Sequence, residues 1–207
     1  PAEAALVPDP GVRLFDRTFE IVEGAIGGTA IDRYDSPLPP PTVELCKNSQ
    51  AVLLGAVGDK KYDSLPAAKK PERGLLDLRT LLGNYANLRP VYVFDPLAAG
   101  SNVRPEFVRG VDLVFVRELL GGVYFGTPRH RDANRAVDTE VYTVDEVRRV
   151  ARVAFSLAQS RRRKLTSVDK ANVLETSILW RQPVAEVARE FPDVTLENLY
   201  VDNCAMQ

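Results

Sequence analysis

Residues 145–201, DEVRRVARVAFSLAQSRRRKLTSVDKANVLETSILWRQPVAEVAREFPDVTLENLYV, decide the fold class. From Asp145 to Arg162, Val147, Val150, Ala151, Ala154, Phe155 and Ala158 fall on one face at helical spacing, which predicts an amphipathic helix. Leu165 to Val168 reads as a short strand, Val173 to Glu190 as a second helix with apolar residues at Val173, Ile178, Val184 and Val187, and Val194 to Val201 as another strand. Helix and strand alternate, so the chain reads as α/β. The basic run Arg161-Arg162-Arg163-Lys164 suits a helix C-terminus, where cations complement the negative end of the helix dipole, better than a nucleic-acid patch.

The pattern continues toward the N-terminus. Leu88 to Phe94 and Val111 to Arg117 are β-branched and aromatic in the manner of sheet strands. Gly121-Gly122 breaks the chain before Val123-Tyr124-Phe125. A polar segment from Arg129 to Asp138 projects from the body, and Thr139 to Thr143 reads again as strand. Glu72 to Leu82 is expected to be a helix, preceded by a polar surface loop from Gly58 to Pro71 that forms a natural ligand edge. Ala51 to Val57, AVLLGAV, has the unbroken apolar run of a buried strand, and Pro41 to Asn48 is helix-like. Phe19 to Val22 is strand-like, and the stretch before it, which opens on Pro1, carries weak helical patterning. A composition shift at Gly83 to Ala86 marks the expected domain boundary.

With 207 residues, 45% of them hydrophobic, the chain is long enough for a sizeable core. Its 27 basic and 28 acidic residues leave a net charge of −1, so no overall field favours nucleic acid or an anionic membrane. No apolar run approaches the roughly 20 residues that span a bilayer, and the N-terminus lacks a secretory pattern. Cys46 and Cys204 are too few and too far apart for a disulfide framework or a zinc site, and neither is given a role. No repeats or low-complexity tracts occur.

Six residues carry the chemistry. Arg79, on the helix LLDLRTLL, and Arg89, in NLRP, sit on either side of a short turn. Arg117 ends the strand VDLVFVR, where an arginine must meet an anion or emerge at the sheet edge, because an unpaired buried charge is costly. Lys170 in TSVDKANVL follows a strand and precedes a helix, a place where partial desolvation makes an amine a useful base, although Asp169 offers it a plain ion pair. Tyr124 in GGVYFG offers a phenolic proton, or a core aromatic with a satisfied hydroxyl. Asp202 stands at the carboxyl end of LENLYVD, where α/β proteins place ligand-binding carboxylates; alone it does not make a magnesium site.

The segments PERGLLDLR, NLRP, VRELLGGVYFG, SVDKANVLETSILWR and YVDNCAMQ, in this order and at these separations, resemble the isocitrate/isopropylmalate (β-decarboxylating) dehydrogenase family, in its 3-isopropylmalate branch. The resemblance runs from about Gly27 to Gln207. It implies a two-domain fold of mixed sheets flanked by helices, with 1–84 part of a cofactor-side domain and 85–207 most of a substrate and dimerisation domain, and an arm at about 121–141. No GxGxxG motif is seen, consistent with a family that binds its dinucleotide without that fingerprint.

The resemblance further implies metal- and NAD-dependent oxidative decarboxylation of 3-isopropylmalate, in leucine biosynthesis. Arg79, Arg89 and Arg117 would bind the substrate carboxylates, Tyr124 and Lys170 would form the catalytic pair, and Asp202 would serve substrate and Mg²⁺ or Mn²⁺. Asp59, Glu72 and Asn172 would lie near the cofactor, with the loop Asp59 to Pro71 lining part of its site. Leu75 and Leu76 suit an isopropyl group rather than the third carboxylate of isocitrate, which an apolar wall leaves unpaired. The same leucines also suit the core of an amphipathic helix. A homodimer is implied, in which Lys170 and Asp202 serve the partner subunit's site.

Three departures from the family stand out. Its opening strand and GDGIG turn are not found, and its chain continues beyond Asp202 to two further metal-binding aspartates. The loop reads VGDKKYD where the family commonly has a Gly-Gly-Pro-Lys-Trp run. The chain is therefore expected to be incomplete at both ends and inactive alone. Cytoplasm is the expected compartment, with an organelle as the alternative. Competing functions are a related tartrate or malate dehydrogenase and a non-catalytic subunit of the same fold.

Overall fold

A computed structural model describes residues 20–207. The chain divides into two compact units, Pro1–Gly83 and Asn84–Gln207. Its mixed α/β class is as expected.

In the first unit, α1 (Gly27–Tyr34) and α2 (Pro40–Asn48) are followed by 3₁₀ turns at Lys60–Tyr62 and Ala67–Lys69 and by α3 (Pro71–Leu81). Proline at the start of α2 and α3 costs no hydrogen bond, because the first amides of a helix have no internal acceptor. Glycine brings these pieces together. Gly27 has φ +62°, and a Cβ there would lie 2.3 Å from the Val57 carbonyl oxygen, while one at Gly28 would lie 2.4 Å from the Tyr62 ring. The Tyr62 hydroxyl and the Lys61 amine both donate to Asp32 of α1, at 2.9 and 2.7 Å, so the polar loop is tied to a helix.

Two strand expectations fail here. Residues 51–57 form no strand, and Leu53 is 94% exposed. A ladder needs a hydrogen-bonded neighbour, and among the described residues the only backbone tie of this run is the Gly28 amide to the Val57 carbonyl. Residues 20–22 are likewise not strand, and the remainder of the first expected elements, from Pro1 to Phe19, lies outside the described residues.

The second unit contains three two-stranded pairings. Strands β1 (Ala86–Tyr92) and β2 (Asp112–Glu118) run antiparallel in continuous register, with short helices α4 (Asp95–Ala98) and α5 (Pro105–Val108) in the connection. The polar segment forms a small hairpin from β3 (His130–Arg131) and β4 (Ala136–Val137). Residues 139–143 are not strand, contrary to expectation. They lead into α6 (Val144–Gln159), and Thr143 is committed as its N-cap in a capping box with Glu146. Then follow β5 (Lys164–Asp169), α7 (Glu175–Ala188), β6 (Thr195–Tyr200) and a six-residue α8 (Val201–Met206). Strands β5 and β6 are parallel, as a helical crossover allows.

The core lies between α6, α7 and this parallel pair. Val147, Ala151, Phe155, Ala158, Val184, Val187 and Val194 are buried together, and Phe155 stacks on Phe191 at 5.5 Å. Burying a side chain the size of Phe155 is worth about 1.5–3 kcal/mol. On α7 only part of the expected apolar face goes inward: Val184 and Val187 are buried, whereas Val173, which precedes the helix, and Ile178 are exposed. The basic run also differs from expectation. No basic residue lies in the last turn of α6; the run follows its Ser160 cap and engages oxygens instead, Arg161 and Arg162 at Asp112, Arg163 at Asp193 and Lys164 at Glu197.

Candidate functional site

Register places two of the predicted arginines. Arg89 lies opposite Phe115 and Asn87 opposite Arg117, so all four side chains share one face of the β1/β2 pair. Arg89 donates from Nε to the Asn87 amide oxygen at 2.6 Å. The Arg117 guanidinium lies over the Tyr124 ring, 5.4 Å from its centroid. Arg117 is exposed at the end of its strand, one of the two outcomes the sequence allowed. Arg89, Arg117 and Tyr124 line a single cleft of about 660 Å³ with Glu140, Tyr142 and Trp180. The cleft combines two cationic forks with a half-exposed phenol, a set that suits an anionic, hydroxylated small molecule.

The turn that presents Tyr124 is built on a residue the sequence reading missed. Glu118 closes β2 with its side chain only 2% exposed. One carboxylate oxygen accepts the Leu120 and Gly121 amides at 2.9 and 2.6 Å, and the other accepts from Arg149 of α6 at 3.1 Å. Gly122 has φ +81°, and a Cβ there would lie 2.5 Å from the Tyr142 hydroxyl, so the double glycine is required by conformation and by packing. The available signal was a carboxylate three residues before a double glycine, at the end of an apolar strand. Burial raises the pKa of Tyr142, and the nearby Glu140 and Glu118 charges add to the rise.

Lys170 and Asp202 do not line this cleft. They meet each other: Lys170 Nζ lies 2.5 Å from Asp202 Oδ1. Lys170 therefore pairs with Asp202 and not with its neighbour Asp169, whose two oxygens accept from the Arg181 fork. The hydrogen bond from Lys170 holds the Asp202 carboxyl below the usual range. Asp202 stands in the first turn of α8, just past the carboxyl end of β6. Asn172 lies exposed in the turn between β5 and α7.

The remaining candidates belong to the first unit. Arg79 is half-buried in the last turn of α3. Leu75 and Leu76 are half-buried on the same helix, whose fully buried positions are Pro71, Gly74 and Leu78. Glu72 is in its first turn, beside the start of the loop: a Cβ at Gly58 would lie 2.9 Å from Glu72 Oε1. Asp59 accepts the Lys61 amide at 3.0 Å and caps the first 3₁₀ turn.

Asp202 is a hard oxygen donor of the kind Mg²⁺ or Mn²⁺ takes, but among the described residues no three His, Cys, Asp or Glu side chains converge into a cation site. Asp202 therefore fits as one oxygen donor to such an ion, and the described residues bring no second and third carboxylate to it. Among the described residues no helix is long and apolar enough to cross a membrane.

Residues 11–207 match the isocitrate/isopropylmalate dehydrogenase family. The chain is 51% identical over 209 residues to a 3-isopropylmalate dehydrogenase of Aquifex aeolicus, covering 99% of this chain and 57% of that protein. It is 52% identical over 210 residues to a 3-isopropylmalate dehydrogenase of Shouchella clausii, covering 100% of this chain and 58% of that protein. Among solved structures, the isocitrate dehydrogenase of Methylococcus capsulatus superposes with a TM-score of 0.67 at 31% identity, over 89% of this chain and 52% of that one. The mixed α/β fold and these relatives place the chain in the class of isocitrate/isopropylmalate dehydrogenase-like folds. The chain belongs to the isocitrate/isopropylmalate dehydrogenase family, and it spans 57–58% of the length of these two curated relatives.

Proposed function

We propose that the protein carrying this chain oxidises and decarboxylates (2R,3S)-3-isopropylmalate to 4-methyl-2-oxopentanoate, a step of leucine biosynthesis, with NAD as the hydride acceptor and Mg²⁺ or Mn²⁺ as the required ion. The observation that carries the reading is the cleft that Arg89, Arg117 and Tyr124 line together. The curated relatives, named 3-isopropylmalate dehydrogenases, support the substrate.

The roles follow from the chemistry of each group. Arg89 and Arg117 each offer a planar fork to a carboxylate, and Arg79 is assigned to the same anion. Lys170 takes the proton of the substrate hydroxyl as hydride leaves the adjacent carbon. The bond to the β-carboxylate then breaks, CO₂ departs, and the electron pair remains as an enolate. Tyr124 donates its phenolic proton to the enolate carbon, completing the 2-oxo acid. When bound, the nicotinamide accepts the hydride and the divalent ion polarises the hydroxyl. Asp202 contributes one of the ion's carboxylates, and Asp59, Glu72 and Asn172 lie on the cofactor side.

We place 1–84 in the cofactor-side domain and 85–207 in the substrate and dimerisation domain. In the proposed homodimer, Lys170 and Asp202 act in the partner subunit's site. Their absence from the lining of the cleft that holds Tyr124 supports this assignment. Cytoplasm is the proposed compartment.

The test is NADH formation by the full protein with 3-isopropylmalate, isocitrate and tartrate in parallel, with the divalent ion present and then chelated. Ion-dependent turnover of 3-isopropylmalate alone supports the reading. Turnover of another acid keeps the chemistry and replaces the substrate, and no turnover of any acid favours a non-catalytic subunit.

A further inference from the structure

The backbone at Lys170 is held at three points. Its own amide donates to Ser177 Oγ at 3.1 Å, and its carbonyl accepts from the Val173 and Leu174 amides at 3.0 and 2.9 Å. The next amide, of Ala171, donates to Asp169 Oδ1 at 2.9 Å. The Asp169 side chain is only 2% exposed, and a carboxylate so placed is stable only when paired. Its partner is Arg181, two turns into α7, which donates from Nε to Oδ2 at 2.7 Å and from Nη2 to Oδ1 at 3.0 Å. The Arg181 guanidinium also lies over the Tyr200 ring, 5.1 Å from its centroid, on the last residue of β6 before the helix that carries Asp202. One side chain thus ties together the ends of β5 and β6, from which Lys170 and Asp202 emerge.

Resting on the proposed role of Lys170 as base, we propose that Arg181 is a positioning residue: its bidentate grip on Asp169 fixes the turn that aims Lys170 at Asp202. Both oxygens of Asp169 are occupied by the fork, so the neighbouring carboxylate does not compete for the Lys170 amine. The fork geometry is what does this, because a lysine at 181 would supply a point charge that meets the two oxygens unequally. Arg181 itself does not line the cleft, so its effect on the reaction passes through Lys170.

The test uses the full protein with Arg181→Gln and Arg181→Lys, and Asp169→Asn as a second route to the same break should Arg181→Gln fold poorly. Two readouts are taken, amide hydrogen exchange at Lys170 and Ala171 and steady-state turnover of 3-isopropylmalate. The expected result for Arg181→Gln is exchange at those two amides faster by about tenfold, with the amides of α6 unchanged. The kcat falls by about a hundredfold while KM for the hydroxy acid stays within about twofold, as befits a misplaced base rather than a lost binding contact. Arg181→Lys recovers only part of both losses. Unchanged exchange, unchanged kcat despite faster exchange, or a rise in KM at constant kcat overturns the proposal. If the wild-type protein turns over none of the acids, the proposed function fails by itself, and the exchange readout still decides whether Arg181 anchors Lys170.

Discussion

Lys170 and Asp202, separated by 31 intervening residues, meet at 2.5 Å because they emerge next to one another from the carboxyl ends of two parallel strands, β5 and β6. The register Asp169 with Tyr200 puts Lys170 and the first turn of α8 side by side. Replacing Lys170 with Met removes the proposed base, and kcat is expected to fall by about 10²–10⁴-fold with little change in KM. The same variant frees Asp202, whose carboxyl titrates low because Lys170 donates to it. Carbon-detected NMR of the Asp202 carboxyl is expected to show its pKa moving up in Lys170→Met, while an unmoved titration shows that the pair does not form.

Arg117 touches Tyr124 and shares a face with Arg89. Arg117→Gln is expected to cost one charged hydrogen-bonding group to the substrate, about 1.5–3 kcal/mol, or roughly 10–100-fold in kcat/KM. Arg117→Lys keeps the charge and loses the fork, so it restores only a fraction of that factor. Steady-state kinetics on 3-isopropylmalate for both variants checks the ordering, and a lysine variant equal to wild type contradicts the fork.

The two long helices and most strands of the second unit were legible because their periodicity is strong: α6 buries Val147, Val150, Ala151, Phe155 and Ala158 as its pattern requires, whereas the short helices α4, α5 and α8 span too few turns to show one. The run at 51–57 misled because apolar content reports a tendency to bury, while a strand needs a neighbour to accept its hydrogen bonds, which no described residue supplies. Arg89, Arg117 and Tyr124 were legible from motif context, and their convergence is visible in the cleft. Glu118 and Arg181 were not legible, because each acts through partners far along the chain, 31 residues away at Arg149 and 12 at Asp169. A charge that will be buried looks in sequence like any solvated one.

Leu75 and Leu76 are half-buried on α3, whose fully buried positions are Pro71, Gly74 and Leu78. If they form the wall for the isopropyl group, Leu75→Ala and Leu76→Ala are each expected to lower kcat/KM for 3-isopropylmalate by about 10–200-fold, and to change turnover of malate far less. Equal losses on both acids point instead to a packing defect in the helix.

The Asp32 cluster gives the loop at 58–71 a pH dependence. Hydrogen bonds from Lys61 and then Tyr62 hold the Asp32 carboxyl below its ordinary value of 3.8, and the same contact raises the Lys61 amine. A depressed carboxylate contributes stability that is present above its unfolded pKa and is lost as pH falls through the lower folded one. Limited proteolysis of the loop is therefore expected to accelerate in the wild type only below about pH 4. Asp32→Asn should be cleaved faster at neutral pH, with a flatter acid limb. Matching cleavage profiles for the two proteins would mean that Asp32 does not hold the loop.

Glu118 offers the sharpest separation between charge and shape. Its buried carboxylate satisfies the Leu120 and Gly121 amides and Arg149 at once. Glu118→Ala strips the partner from two amides and from Arg149, which at 37% exposure stays partly hydrated, so the cost is mainly that of unsatisfied amides, about 1–3 kcal/mol. Glu118→Gln keeps an oxygen for the amides but turns an NH2 donor toward Arg149 and so loses that hydrogen bond with the charge; it should still cost less than alanine because the two amides remain satisfied. Denaturant unfolding of both variants gives the ordering. The turn that follows carries Tyr124, so Glu118→Ala should also lower kcat in protein that is still folded, with Glu118→Gln lying between it and wild type. Full activity in folded Glu118→Ala would show that the double-glycine turn holds Tyr124 without the carboxylate.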